Sequence, residues 1–146
     1  MPLDASFLGR TYPPTEPYLV GREKIREFAA AIGADDPAYF DPKAAAELGH
    51  PDVIAPPTFP IIVTGQAGQA LLADPALGLN FDRVVHADQR FAYTRPVRAG
   101  DRLVCVVVVE EIMTRAGNDF LTTRTDVTTD AGEPVVTAWS RLVARA

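Results

Sequence analysis

The chain predicts an α+β fold with its helices segregated on one face of an antiparallel sheet, and three observations carry this. Up to Ala73 its apolar residues recur at helical spacing between proline and glycine breaks. From Val84 onward the pattern changes to four strand-like stretches. Only short turn signals separate those stretches, which suits antiparallel neighbours rather than parallel strands with crossovers. A length of 146 residues is enough for one domain, over residues 1–146, to bury its own core.

The opening run Gly9 to Pro17 carries Pro13, Pro14 and Pro17, which remove donors and push the preceding residues toward extended backbone, so it reads as a loop. It leads into a short strand at Tyr18 to Val20. Next, Ile25, Phe28, Ala29 and Ile32 fall on one face of a helix that Gly33 stops. Asp41 as cap, Pro42 at the first helical position and Gly49 past the end describe a second, shorter helix. Thr58 follows Pro56 and Pro57 and is read as the cap of a helix from Phe59 to about Ala73. Phe59, Ile62, Val63 and Ala67 line one of its faces, while Gly65, Gly68 and Ala70 keep it slim enough to lie close to a sheet.

Beyond Asp74-Pro75, residues 76–82 read as loop. The strands then run Val84 to Tyr93, Arg102 to Met113, Phe120 to Thr129 and Pro134 to Ala144. Leu103 to Val109 is apolar at every position, so both of its faces are expected to be covered, one by the Phe59 helix and the other by a neighbour such as another subunit. Thr123, Thr125, Val127 and Thr129 alternate with polar residues, as on a half-exposed strand.

A net charge of −5 speaks against nucleic acid as a partner, because phosphate neutralisation needs a basic face. With two histidines and one cysteine, no metal site is expected. The lone Cys105, inside an apolar run, reads as a buried structural thiol. No apolar run approaches the roughly 18 residues of a membrane helix, and the start lacks a secretory signal, so a soluble cytoplasmic protein is expected.

Residues 33–41 read Gly-Ala-Asp-Asp-Pro-Ala-Tyr-Phe-Asp, and Ile54-Ala55-Pro56-Pro57-Thr58 follows. This layout resembles the active-site segment of the MaoC-like (R)-specific enoyl-thioester hydratases and 3-hydroxyacyl dehydratases, a hot-dog-fold family, which implies a long central helix wrapped by a curved antiparallel sheet. Their segment runs Gly-Asp-x-Asn-Pro-x-His-x-Asp, and its first Asp and its His handle the water and proton of the reaction. The frame fits at Gly33, Pro37 and Asp41, but the catalytic Asp falls on Ala34, the His on Tyr39 and the Asn on Asp36. Arg90-Phe91 with Pro96-Val97-Arg98-Ala99-Gly100-Asp101-Arg102-Leu103 resembles a second stretch of the family, Phe…Pro-Val-x-x-Gly-Asp-x-Leu. The whole chain is similar to the A-type, substrate-binding subunits of actinobacterial (3R)-hydroxyacyl carrier-protein dehydratases, typified by the mycobacterial one. The resemblance rests also on Gly9 to Pro13, Val53 to Pro60 and Val85 to Phe91. It implies pairing with a second hot-dog subunit that holds the Asp and His.

Dehydration of a hydroxyacyl thioester needs a base near the α carbon, an acid for the departing hydroxyl and donors for the thioester oxygen. Ala34 does neither acid nor base work, and Tyr39, with an ordinary pKa near ~10, is a poor substitute for His. No catalytic residue and no cofactor beyond the carrier thioester is therefore assigned to this chain. Tyr39, Pro57, Thr58, Phe59, Ile62, Val63, His86 and Gln89 are the substrate-binding candidates. Against them stands the ordinary reading that apolar residues at helical spacing are core and that His86 is a hydrogen-bonded structural histidine. Arg90, Arg95 and Arg98, in a basic cluster with Arg102, are candidates for the phosphopantetheine phosphate or an acidic carrier protein; a solvated strand and turn is the competing reading.

The leading expectation is an acyl-thioester-binding, noncatalytic subunit of a heteromeric (3R)-hydroxyacyl-thioester dehydratase in fatty-acid or related lipid synthesis. The thioester carrier is CoA or acyl carrier protein, and a homodimer of the chain alone is left open. A homo-oligomeric module that binds acyl-CoA or another apolar ligand without turnover is the alternative. A third reading is an active homodimeric hydratase or thioesterase using Asp35, Asp36, His50 or His86.

Overall fold

The computed structural model describes residues 2–146. Strands β1 (Tyr18–Leu19), β2 (Val84–Tyr93), β3 (Arg102–Arg115), β4 (Asn118–Thr129) and β5 (Pro134–Ala144) form a sheet in the order β1-β3-β4-β5-β2, with every pairing antiparallel. Helices α1 (Arg22–Ala31), α2 (Pro42–Glu47), α3 (Ile61–Ala67) and α4 (Gln69–Leu72) come before β2 in the chain. The α+β hot-dog expectation holds: the sheet curls around the α3–α4 helical segment.

Local chemistry sets the helix boundaries. Gly33 ends α1 with φ of 72°, a left-handed turn in which a side chain is strained. Asp41 caps α2, its carboxylate accepting from the Lys43 N–H at 2.9 Å. Asp36 does the same for a 3-10 turn at Pro37–Tyr39, accepting from the Ala38 N–H at 3.0 Å.

The predicted central helix is divided and starts later than expected. Thr58 does not cap it: its carbonyl accepts from the Ile61 N–H at 3.2 Å, and Pro60 occupies the cap without a side-chain bond. Gly68 separates α3 from α4 with ψ of −8°, well away from the roughly −42° of a regular helix. A glycine there lacks the side chain that would favour continuous helix.

The main core lies between α3 and the sheet. Phe59, Val63, Leu103, Cys105 and Val127 are buried in it together with Ile25 of α1. Phe28 meets Phe59 edge to face, centroids 5.5 Å apart, the favoured aromatic geometry. A second cluster of Phe7, Leu71, Leu77, Val109 and Leu121 closes the other end.

β3 is covered less completely than its all-apolar run suggests. Leu103, Cys105, Val107 and Val109 are buried, whereas Val104, Val106 and Val108 on the opposite face are only half-buried. Beyond the two residues of β1, the edge of β3 is paired by the proline-rich N-terminal segment. The N–H groups of Gly9, Tyr12 and Thr15 donate to the carbonyls of Val109, Val107 and Cys105 at 2.9, 2.9 and 3.0 Å. At the other side of the sheet, β2 is the edge strand. Among the described residues no helix is long and apolar enough to cross a membrane.

Phe59 is fully buried, so Phe59→Ala is expected to cost about 3–5 kcal/mol of stability, read as a lowered urea midpoint at unchanged slope.

Candidate functional site

Two cavities are lined by residues that the sequence singles out. The first, about 220 Å³, lies between the helix and the concave face of the sheet. α3–α4 contributes Ile61, Thr64, Gly65, Gly68 and Leu72; β4 contributes Leu121, Thr123 and Thr125; β5 contributes Ala138, Ser140 and Leu142. His86 and Gln89 of β2 complete it. Strand alternation explains the β4 and β5 sets, since residues two apart share a face. His86 and Gln89 are three apart, and they share the cavity because the pairing of β2 with β5 shifts between His86 and Asp88. A bulge of this kind re-aims every side chain after it.

Gly65 opens the helix side. A Cβ built there would meet nothing within 4 Å. The His86 Nε2 and the Ser140 Oγ lie 3.3 Å apart in a solvent-exposed contact. The amide nitrogen and oxygen of Gln89 are both buried with no hydrogen-bond partner among the described residues.

The second cavity, about 300 Å³, is lined by Tyr39, Ile54, Ala55, Pro57, Tyr93, Thr94, Arg95 and Pro96. The Tyr93 hydroxyl donates to the Pro57 carbonyl at 2.6 Å. Burial pushes the Tyr93 hydroxyl well above its usual pKa, and nearby Tyr39 adds to the shift. Tyr39 is also raised, first by burial and then by the charge of Asp36. Both phenols therefore stay protonated at neutral pH, as donors rather than bases. Ala34 and Tyr39 thus leave this region without a general base of the family's kind.

The sequence candidates divide into four groups. His86 and Gln89 line the first cavity; Tyr39 and Pro57 line the second. Phe59 and Val63 are buried in the core and Ile62 packs against it, so these three lie on the core side of the helix, while Ile61 and Thr64 face the cavity. Thr58 is exposed and lines neither cavity. The basic cluster does not act as one. The Arg90 guanidinium stacks on Trp139, 3.9 Å from the ring centroid, and Arg102 pairs with Asp130 at 2.7 Å.

Arg95 is committed internally. Its Nη atoms reach Asp101 at 2.9 Å twice, its Nε and Nη2 reach Glu133, and Nη1 also donates to the Pro96 carbonyl. These contacts occupy its whole donor fork, which leaves nothing for a phosphate. The Asp101 carboxylate also accepts from the Arg98 N–H at 2.9 Å, so the Gly-Asp of the second motif is a turn lock. Tyr93 and Ile61 were missed as lining residues. The slim stripe of Gly65 and Gly68 was the available signal for the cavity, since small residues leave space as readily as they permit close packing.

A curled sheet around one helix, with a cavity between them and the Gly33, Pro37 and Asp41 frame beside it, defines a hot-dog protein of the MaoC-like hydratase and dehydratase class. The chain belongs to the family described as FAS1-like, dehydratase domain region, whose model matches residues 6–138. It is 60% identical over 146 residues to a UPF0336 protein of Streptomyces coelicolor, covering 100% of this chain and 97% of that one. Among solved structures it is similar to a C-terminally truncated HadBC (3R-hydroxyacyl-ACP dehydratase) complex from Mycobacterium tuberculosis. That similarity has 36% identity and a TM-score of 0.85, over 94% of this chain and 96% of that one. A MaoC-like dehydratase aligns at 33% identity with a TM-score of 0.89, over 97% of this chain but 43% of the longer relative.

Two outcomes are expected here. The Arg95 side chain is 15% exposed and that of Asp101 6%, so Arg95→Met, which strands a buried carboxylate, should cost about 3 kcal/mol, read by thermal unfolding. Burial pushes the Cys105 thiol up to about 12, against an opposing bond with Thr15. The reactive thiolate is therefore scarce at neutral pH, and iodoacetamide labelling is expected only at the rate of unfolding.

Proposed function

We propose that this chain is the acyl-thioester-binding, noncatalytic subunit of a heteromeric (3R)-hydroxyacyl-thioester dehydratase or enoyl hydratase of cytoplasmic fatty-acid or related lipid synthesis. A second hot-dog subunit supplies the Asp and His. The observation that carries this reading is the intact frame with Ala34 and Tyr39 at the two chemical positions. It is supported by likeness to a dehydratase complex and by a cavity of about 220 Å³ suited to an acyl chain. A cavity of about 150 Å³ holds benzene, so 220 Å³ accommodates roughly nine carbon-sized atoms on that scale.

The free edge of β2 offers unpaired backbone groups for a partner strand, and exposed Val85 and Tyr93 add apolar surface there. In this reading His86 and Gln89 contact the chain of the substrate, while Tyr39 and Pro57 border its approach. Arg90 and Arg98 remain the candidates for the phosphopantetheine phosphate, with Arg95 held in its ion pair.

The test is hydration of a trans-2-enoyl-CoA by the purified chain alone and after co-expression with a hot-dog partner bearing an intact Gly-Asp-x-Asn-Pro-x-His segment. Activity is expected only from the co-expressed pair. Turnover by the chain alone would overturn the reading, and acyl-CoA binding without turnover in either sample would favour the homo-oligomeric binding module. Gly65→Leu, which projects into the cavity, should weaken acyl-CoA binding by about tenfold or more. Thermal stability should be unchanged or higher, because leucine is the better helix former.

A further inference from the structure

Three of the five polar side chains that the sheet gives the first cavity stand in one row. In the sheet register Thr123 lies opposite Ser140, and Ser140 lies opposite Gln89, so three hydrogen-bonding side chains form one row across β4, β5 and β2. The row on one side is Leu121, Leu142 and His86; on the other it is Thr125, Ala138 and Phe91. Each flanking row carries two apolar side chains and one polar one, His86 or Thr125. The central row is therefore the one made wholly of hydrogen-bonding groups, and Thr64 lines the same cavity from the helix side.

Within that row Ser140 already meets His86 at 3.3 Å. Among the described residues Gln89 has no hydrogen-bond partner: both its amide N and its amide O are buried and unbonded. Buried polar side chains are rarely left so, and a plain hydrocarbon laid across them would shut out water without replacing its bonds. A hydroxyl on the ligand answers both halves of the amide, because its oxygen accepts from the Nε2–H and its proton goes to Oε1. An oxo group answers only the N–H.

We propose that this cavity selects acyl chains carrying an additional hydroxyl part-way along the chain, beyond the group on which the reaction acts, with Gln89 as the residue that reads it. The proposal rests on the acyl-binding reading above and adds to it a ligand class. Sites built to bond a substrate hydroxyl discriminate far more sharply than sites that merely measure hydrocarbon length. The expected order of affinity is hydroxyl, then oxo, then plain alkyl.

The test is calorimetric titration of the purified chain with decanoyl-CoA and with hydroxydecanoyl-CoA isomers whose hydroxyl is moved along the chain beyond the third carbon. One isomer is expected to bind about tenfold or more tightly than decanoyl-CoA. Gln89→Leu should abolish that preference, so that no isomer binds more tightly than decanoyl-CoA does to the same variant. If decanoyl-CoA binds and no isomer exceeds it, the proposal fails and the acyl-binding reading stands. If no CoA ester binds, both fail. A preference that survives in Gln89→Leu, with the change appearing instead in the sedimentation of the oligomer, would make Gln89 an interface group and overturn the proposal. The isomer series on the unmodified chain decides the matter even if the variant does not fold.

Discussion

One helical layer has to close the concave side of a curled five-stranded sheet, and the remaining features follow from how it does so. Phe59 and Val63 seal one end against β3 and β4, burying apolar area worth about 1.5–3 kcal/mol for each large side chain. Leu71 seals the other end against Val109 and Leu121. Between the two plugs the helix presents Gly65 and Gly68, which bring its backbone close while leaving volume unfilled. Core and cavity are thus two faces of one short helical segment.

The frame of the family's active-site segment has a backbone duty of its own here. Gly33 and Ala34 turn the chain out of α1, their N–H groups closing on the carbonyls of Ala30 and Ala29 at 3.2 and 2.8 Å. Pro37 opens a 3-10 turn capped by Asp36, and Asp41 caps α2. These residues fold the loop whether or not a reaction occurs in it. The side chains at positions 34 and 39 carry no such duty, so an alanine and a tyrosine fit there without disturbing the path. The same division applies to the second motif, where Asp101 locks a turn by gathering Arg95 and the Arg98 N–H.

Much of the fold was legible because it is written in local patterns. β2 and β5 begin and end where their apolar runs and turn residues place them, and α1 and α2 carry their caps in sequence. The central helix was overextended because apolar periodicity continues through Gly68 while the backbone does not. The site was less legible. Periodicity grouped Phe59, Ile62 and Val63 correctly but does not distinguish a face that packs from a face that lines a cavity. Arg95 looked available because its partner Glu133 is 38 residues away. Thr58 looked like a cap because a hydroxyl before an apolar run usually is one, but the two prolines around Phe59 delay the helix. Gln89 was found through the resemblance, although its orphaned amide appears only in three dimensions.

The register shift between His86 and Asp88 makes the character of the cavity depend on the path of the strand as well as on residue identity. Were β2 to run through Ala87 without that shift, strict alternation after His86 would turn Asp88 and Arg90 inward and Gln89 outward, exchanging an uncharged amide for an acid and a base. A single-codon deletion of Ala87 has the opposite result: the bulge disappears, and His86 and Gln89 stand two residues apart on the same face. Relatives that differ here by that one residue would therefore keep the same interior, and alignments that absorb the gap in a neighbouring loop would hide the correspondence.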